Sequence, residues 1–221
     1  MISIDELLEM NEYDRAEYLY EKAKEINKRL DPEYEEMIKL SPEWTYRYIV
    51  EIIKRRWPEG ESTILKDNFT TKQYLRDFIC SRWPEGEKVI ANDPDMARWY
   101  VEHIIKKRWP EGEKAIMTKP DTAKWYAMKI IKGRWPEAES IIAQDENAAL
   151  EYACDIIKGR WPEGEKAIFR RPIIAYLYCS EALGIKVPDP DKFGRSITDN
   201  DNDDKEYLKY VKAKIRYKNN Y

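Results

Sequence analysis

The sequence has little of what many enzymes and secreted proteins depend on. It contains one histidine, three cysteines and eight glycines among 221 residues. A single histidine excludes a multi-histidine metal site, and three cysteines without paired spacing argue against a disulfide framework or a cysteine-rich zinc site. The glycines form no phosphate-binding loop. We therefore predict no metal, no cofactor and no enzymatic activity.

Long apolar runs and a charge excess of either sign are also missing. No apolar stretch approaches the ~20 residues that a membrane-spanning helix needs. The first segment, MISIDELLEMNEYDR, lacks the basic start and apolar core of a secretory signal. Lys and Arg number 39 against 42 Asp and Glu, so the net charge is only -3. We expect a cytoplasmic protein without a membrane partner, whose electrostatic interactions are local.

The sequence is rich in one repeated motif. RWPEGE begins at residues 56, 82, 108 and 160, and RWPEAE begins at residue 134. Counting each repeat from its tryptophan, the 26-residue period extends backward to Asp31 and forward to Val187, which gives six full repeats over residues 31–186. All six have proline at position 2, glutamate at positions 3 and 5, isoleucine at position 8 and tyrosine at position 18. A fixed period of this length is typical of helical-repeat proteins.

Each repeat is predicted to form two helices. Proline at position 2 suits the first turn of a short helix A, and the glutamates favour the positive end of its dipole. In helix B the apolar positions 15, 18, 19, 22 and 23 form one face, as in Ala97, Tyr100, Val101, Ile104 and Ile105. Basic residues, with Gly133 and Gly159 as C-caps, are expected to end helix B.

Helices this short are unstable alone, so neighbouring repeats must bury their apolar faces. The sequence therefore predicts an all-α fold, an α-solenoid of six two-helix repeats, right-handed by analogy with other arrays. Residues 1–30 are predicted to form a degenerate helical cap. Residues 187–221 are predicted to form a partial seventh repeat, an acidic linker and a C-terminal helix.

The repeated tryptophans are predicted to be joints of this scaffold. Copies at constant register lie in a row and cannot gather around one cavity, which argues against an active-site signature. We expect each tryptophan to fill the seam between helix B of one repeat and helix A of the next, with the preceding arginine stacked on an indole or paired with a glutamate. The alternative is a ladder of exposed tryptophans that stacks bases or sugars.

Positions at which the repeats differ are the candidates for function. Position 17 should face outward, and in repeat order it holds Arg47, Gln73, Trp99, Trp125, Glu151 and Leu177. Trp99 and Trp125 are expected side by side, and the neighbouring outward residues are His103, Lys106, Met128, Lys129 and Lys132. Exposed tryptophans among lysine and methionine predict a protein-binding patch. The alternative is that a neighbouring repeat, a cap or a second copy of the chain covers both tryptophans.

Two further functions stay open at this point. Basic residues end helix B in several repeats and could follow the phosphates of a nucleic acid, with Lys54, Arg55, Lys107 and Lys158 as phosphate-binding candidates. Two glutamates follow each cluster closely and weaken its field. The other possibility is a protein that sequesters a small nucleotide between two protomers.

The phrase IIKGRWPEAE, with an upstream Asp or Ser, Pro, Ala and Tyr, resembles the tandem RWPE repeats of uncharacterised bacteriophage and other viral proteins. The resemblance covers residues 31–186. It implies a phage-encoded protein that acts in the host cytoplasm by binding and disabling a host factor. It brings no catalytic or binding residues with it.

Overall fold

The structure, a computed structural model, describes residues 3–192 and 201–218. Within these residues all regular structure is helical, and no strand occurs among them. The helices form pairs that recur with the sequence period, which confirms an all-α helical-repeat fold of the α-solenoid class. The chain divides into two compact units, one ending at Ile90 and the other beginning at Ala91.

The first unit begins with the predicted helical cap and continues with helices A and B of successive repeats. Its α-helices are α1 (Ile4–Glu9), α2 (Glu12–Ile26), α3 (Pro32–Ile38), α4 (Pro42–Tyr48), α5 (Pro58–Ile64), α6 (Asn68–Tyr74) and α7 (Pro84–Ile90). Helix α2 packs on both α3 and α4, as helix B of one repeat packs on the next pair. The cap is therefore a degenerate repeat that covers the first open face.

The second unit contains helix B of the third repeat, the three following helix pairs and a long terminal helix. Its α-helices are α8 (Pro94–Tyr100), α9 (Pro110–Ile116), α10 (Pro120–Tyr126), α11 (Pro136–Ile142), α12 (Glu146–Tyr152), α13 (Pro162–Ile168), α14 (Pro172–Leu177) and α15 (Asp201–Lys218). Each helix B contacts both helices of the following pair, as α10 contacts α11 and α12. The stripe predicted for helix B is buried at Ala97, Tyr100 and Val101 and half-buried at Ile104 and Ile105.

Helix α15 closes the second unit. It buries Tyr207, Val211 and Ile215 at helical spacing, and it packs on α14. This helix therefore buries its apolar side chains against the last helix B. At the start of the predicted partial seventh repeat the structure has a three-residue 3-10 helix at Pro190–Lys192. Most of the predicted acidic linker, residues 193–200, lies outside the described residues.

Helix B changes its winding in its last turn. A five-residue π-helical turn follows the α-helix in each repeat: Ile49–Ile53, Leu75–Ile79, Val101–Ile105, Ala127–Ile131, Ala153–Ile157 and Tyr178–Ala182. The next residue has a positive φ of 54 to 58° in the first five: Lys54, Cys80, Lys106, Lys132 and Lys158. Its N–H donates to the carbonyl five residues earlier, as from Lys54 to Ile49 at 2.7 Å.

This ending corrects the prediction that Gly133 and Gly159 take the left-handed C-cap position. Hydrogen bonds from residue i to residue i−5 close the last turn, so the chain reverses at position 24 of the repeat. The left-handed residues at that position are Lys132 and Lys158. Each glycine lies one residue later and donates its N–H across the turn, as from Gly133 to the Ala127 carbonyl at 3.3 Å. Left-handed backbone costs a residue with a Cβ about 1 kcal/mol or more.

Candidate functional site

The repeated tryptophans are buried joints. Trp57, Trp109, Trp135 and Trp161 are at most 3% exposed. Each indole packs against the position-18 tyrosine of the preceding repeat, with ring centroids 4.9 to 5.7 Å apart. The predicted seam is therefore confirmed, and the alternative of an exposed tryptophan ladder is wrong.

The small residue at position 4 makes room for the indole. A Cβ added to Gly60 would lie 2.6 Å from Cε3 of Trp57, closer than two carbons can pack. In the RWPEAE repeat the residue is Ala138, which is fully buried beside Trp135. The indole must therefore shift slightly in that repeat to admit one methyl group.

A polar network fixes each joint. In one repeat the backbone N–H of Trp109 donates to the Tyr126 hydroxyl at 2.7 Å, and that hydroxyl donates to the Glu113 carboxylate at 3.0 Å. Arg108 donates to both oxygens of Glu113, at 2.6 and 3.1 Å. The same contacts recur 26 residues later from Trp135 through Tyr152 and Glu139 to Arg134, so the arginine pairs with the glutamate.

The network stabilises a neutral tyrosine beside an ionised glutamate. Burial raises the pKa of Tyr152 to about 12, with a smaller rise from the bond to Glu139, while the Trp135 N–H lowers the pKa. The bond from Arg134 holds the pKa of Glu139 below its ordinary value, although burial opposes this. Both groups therefore keep one protonation state near neutral pH, which suits a structural role.

The first repeat deviates from the 26-residue period by one residue. Here the Leu30 N–H, and not that of Asp31, donates to the Tyr48 hydroxyl at 2.8 Å. Arg29 pairs with Glu35 through two bonds of 2.8 Å. Leu30 thus takes the place of the joint tryptophan, and Asp31 is an additional residue at the N-cap position of α3, where its side chain makes no capping hydrogen bond.

Of the two tryptophans predicted to be exposed, one is buried and the other is half-buried. Trp125 is 9% exposed, because the Arg98 guanidinium lies over its ring at 4.8 Å. Asp121 holds Arg98 there through an ion pair of 3.0 Å. The expected exposure of Trp125 is therefore wrong, since the preceding repeat covers the ring. Trp99 is half-buried and stacks on His103, with centroids 4.6 Å apart and planes 15° apart.

The remaining residues of the predicted patch lie nearer to solvent. Lys106, Lys129 and Lys132 are exposed, and Met128 is half-buried. Lys106 and Lys132 are both left-handed residues that end helix B. A binding role for these side chains stays a prediction.

The predicted basic ridge has fewer unpaired cations than its sequence suggests. The joint arginines are bound to glutamates, as between Arg160 and Glu165 at 2.7 Å. The four phosphate-binding candidates Lys54, Arg55, Lys107 and Lys158 are exposed, and none has an ion pair among the described residues. A nucleic-acid role rests on these side chains and stays a prediction.

An aromatic groove in the first unit was not predicted. It has a volume of about 590 Å³ and is lined from α2, α4 and α6 by Tyr13, Ser41, Pro42, Glu43, Tyr46, Arg47, Asp67, Phe69, Thr70 and Gln73. Phe69 is 68% exposed and Tyr13 is 47% exposed. A signal was present at position 13, where Phe69 replaces the polar residue of four other repeats, but Tyr13 belongs to the cap and its place required the structure.

A basic pocket in the second unit was also missed. It has a volume of about 360 Å³ and is lined by Arg160, Glu165, Lys166, Phe169, Lys212, Ile215 and Arg216. Its residues come from the last repeat and from α15. Sequence spacing could not bring them together, because α15 is outside the repeat period.

Comparison with known proteins adds no family to this description. Among the described residues, no helix is both long and apolar enough to cross a membrane, and no three His, Cys, Asp or Glu side chains are grouped to hold a metal ion. The comparisons find no matching family model, no matching curated protein and no matching solved structure.

Proposed function

We propose that the chain is a non-enzymatic helical-repeat scaffold that binds a protein partner through the aromatic groove of its first unit. The observation that carries this proposal is the exposed Phe69 beside Tyr13 and Tyr46 in one concave surface. Aromatic residues and arginine are the side chains that most often dominate protein interfaces. The joint residues are occupied with one another, which leaves recognition to positions that differ between repeats.

The wall of the groove is held in place before any partner binds. Arg47 lies over the Trp44 ring at 4.6 Å and pairs with Glu43 at 2.9 Å. The Tyr13 ring meets the Trp44 ring edge-on at 5.6 Å, and the Tyr46 hydroxyl donates to Asp77. Side chains fixed in this way lose little conformational entropy on binding, which favours affinity.

The partner class follows from the chemistry of the groove. Phe69, Tyr13 and Pro42 offer apolar area, while Glu43, Arg47 and Asp67 provide both signs of charge at its edge. An apolar side chain flanked by polar groups fits this surface, whereas a phosphate backbone does not. The resemblance to phage repeat proteins makes a bacterial cytoplasmic protein the first partner to test.

Site-specific photo-crosslinking tests the proposal. A benzophenone amino acid replaces Phe69 in one variant and Val89 in the control, because Val89 is exposed in the same unit but outside the groove. We expect position 69 to give a discrete cross-linked protein in bacterial lysate, reduced by Tyr13→Ala, and position 89 to give none. Equal cross-linking at the two positions would contradict the proposal.

The nucleic-acid alternative makes a different prediction. Binding through Lys54, Arg55, Lys107 and Lys158 should weaken steeply as salt rises, because phosphate contacts release counterions. Fluorescence anisotropy with a labelled duplex and a labelled single strand measures this dependence. Charge reversal at these four positions should abolish such binding and leave the groove cross-link unchanged.

A further inference from the structure

The basic pocket of the second unit concentrates positive charge in a chain whose net charge is negative. Four cationic side chains and one carboxylate line it, a local charge of +3 against -3 for the whole chain. Arg160 and Glu165 neutralise each other through bonds of 2.7 and 3.2 Å. Lys166, Lys212 and Arg216 have no ion pair among the described residues, so three cations are left for a ligand.

The neighbouring groove shows that this charge is particular to the pocket. One repeat earlier, Glu139, Glu163, Lys166 and Arg170 line a groove of about 500 Å³ with as many carboxylates as cations. Helix α15 contributes Lys212 and Arg216 to the pocket without a carboxylate, whereas the following repeat contributes Glu163 together with Lys166 and Arg170 to the neighbouring groove.

An aromatic ring forms part of the same pocket. Phe169 follows the end of α13 and stands at position 9, where the other repeats hold Lys39, Leu65, Ala91, Met117 and Ala143. Its ring is half-buried, meets Tyr178 edge-on at 6.3 Å and lies under the Lys212 ammonium at 5.0 Å. Ile215 adds a buried aliphatic surface to the lining. An aromatic and an aliphatic wall accept a flat, weakly polar ring.

The combination selects one ligand class. Lysine and arginine side chains bind phosphate oxygens, and the aromatic wall can stack on a base. A volume of about 360 Å³ lies at the small end of ligand pockets, which excludes a long polymer inside it. We propose that this pocket binds a mononucleotide, with Lys166, Lys212 and Arg216 on its phosphates and Phe169 against its base, the Lys212 ammonium moving from the Phe169 ring to a phosphate. This site goes beyond the proposed function, lies in the other unit and shares no residue with the aromatic groove.

Isothermal titration calorimetry with the full chain tests the site. The probes are the mono- and triphosphates of adenosine, guanosine, cytidine and uridine, with inorganic triphosphate as the base-free comparison. We expect saturable binding of at least one nucleotide and weaker binding of inorganic triphosphate. Lys212→Glu with Arg216→Glu should weaken that binding about 100-fold, roughly tenfold for each cationic side chain removed.

The matched control lies on the same helix. Lys205→Glu with Lys209→Glu makes the same change in charge at exposed positions of α15 outside the pocket, and it should leave the affinity within about twofold. Phe169→Leu should weaken nucleotide binding about tenfold and leave inorganic triphosphate unaffected, because only the base stacks. Thermal unfolding of each variant shows whether it folds, and Lys166→Glu on α13 tests the charge independently of α15.

Three results would overturn the proposal. One is no saturable binding of any nucleotide in the panel, and another is inorganic triphosphate binding as tightly as the best nucleotide. The third is an equal loss of affinity in the two charge-reversal pairs. None of these results bears on cross-linking at Phe69, so failure of the pocket and failure of the proposed function are distinguishable.

Discussion

Two pairs of tryptophans in the second unit have opposite roles, although both recur with the same period. Trp109 and Trp135 are at most 2% exposed and bond through their backbone N–H to a tyrosine of helix B. Trp99 and Trp125 stand on helix B itself, one stacked on His103 and the other under Arg98. The first pair occurs in a word that five repeats share, whereas the second occurs in only two repeats. The shared tryptophans hold the scaffold, and the repeat-specific ones shape its surface.

The same distinction separates structure from candidate function elsewhere in the chain. Phe69 in the aromatic groove and Phe169 in the basic pocket both stand at positions where the other repeats hold different residues. Neither takes part in the joint network. Substitutions at shared positions should therefore change stability, and substitutions at repeat-specific positions should change binding.

The largest effect is expected at a joint tryptophan. Trp109→Ala should lower the free energy of unfolding by about 3 to 5 kcal/mol, because it removes a buried aromatic side chain and leaves a cavity. Urea unfolding followed by circular dichroism measures the change. A loss below about 1 kcal/mol would mean that the seam does not depend on the indole.

A smaller loss is expected when the network loses one hydroxyl. Tyr152→Phe leaves the Trp135 N–H and Glu139 without their shared partner and should cost about 1 to 3 kcal/mol. The hydroxyl also sets an alkaline limit, since the folded pKa of Tyr152 is raised to about 12 from an ordinary value of 10.0. Its stabilising contribution is complete below pH 10 and is lost as the pH rises toward 12.

Urea midpoints measured from pH 8 to pH 11 check the alkaline limit. The wild-type chain should lose stability toward the alkaline end of this range, and the Tyr152→Phe variant should lose less. Parallel pH profiles for the two proteins would show that this hydroxyl does not carry the effect.

Replacing Trp99 or Trp125 should destabilise the chain less than replacing a joint tryptophan. Trp125→Ala should cost about 1 to 2 kcal/mol, because the ring is covered by the partly exposed Arg98 side chain, which can close over part of the space that the ring leaves. Trp99→Ala should cost less than about 1 kcal/mol, because the ring is only half-buried. Thermal unfolding of both variants and of Trp109→Ala measures the order of the three stability losses. If Trp99→Ala cost as much as Trp109→Ala, the two pairs would not differ in role.

The smallest effect concerns the left-handed lysines. Lys132→Gly should stabilise the chain by up to about 1 kcal/mol, because relief of left-handed strain outweighs the added freedom of the unfolded chain. Gly133→Ala is the comparison, since Gly133 has no positive φ. Differential scanning calorimetry of both variants measures the change, and destabilisation by Lys132→Gly would indicate that the lysine side chain supports the turn.

Much of the architecture could be predicted because the same sequence pattern recurs in every repeat. The period, the proline at each helix start and the buried face of helix B depend on local sequence, and six copies make the pattern plain. The π-helical turns could not be predicted, because no residue type marks them and a lysine takes the left-handed position where glycine is usual. The period count places Asp31 at the position of the joint tryptophan, but the Tyr48 hydroxyl accepts from the backbone N–H of Leu30. Sequence alone does not show which backbone N–H this tyrosine binds.

Surfaces were less predictable than the core. The burial of Trp125 depends on Arg98, a residue one repeat away whose reach depends on how adjacent helices pack. The aromatic groove needs Tyr13 from the cap, and the basic pocket needs Lys212 and Arg216 from the terminal helix. These end elements lie outside the period, so the repeat pattern holds no information on what they approach.

Shared positions are expected to hold the scaffold, and repeat-specific positions are expected to bind the partner. The most direct test measures urea unfolding and partner capture together for Phe69→Ser and Trp57→Phe, two variants of the first unit. We predict that Phe69→Ser keeps its stability within about 0.5 kcal/mol and loses the partner. Trp57→Phe should lose about 1 to 3 kcal/mol and keep the partner while it is folded. Partner capture that survives Phe69→Ser, or that is lost from folded Trp57→Phe, would contradict this division of roles.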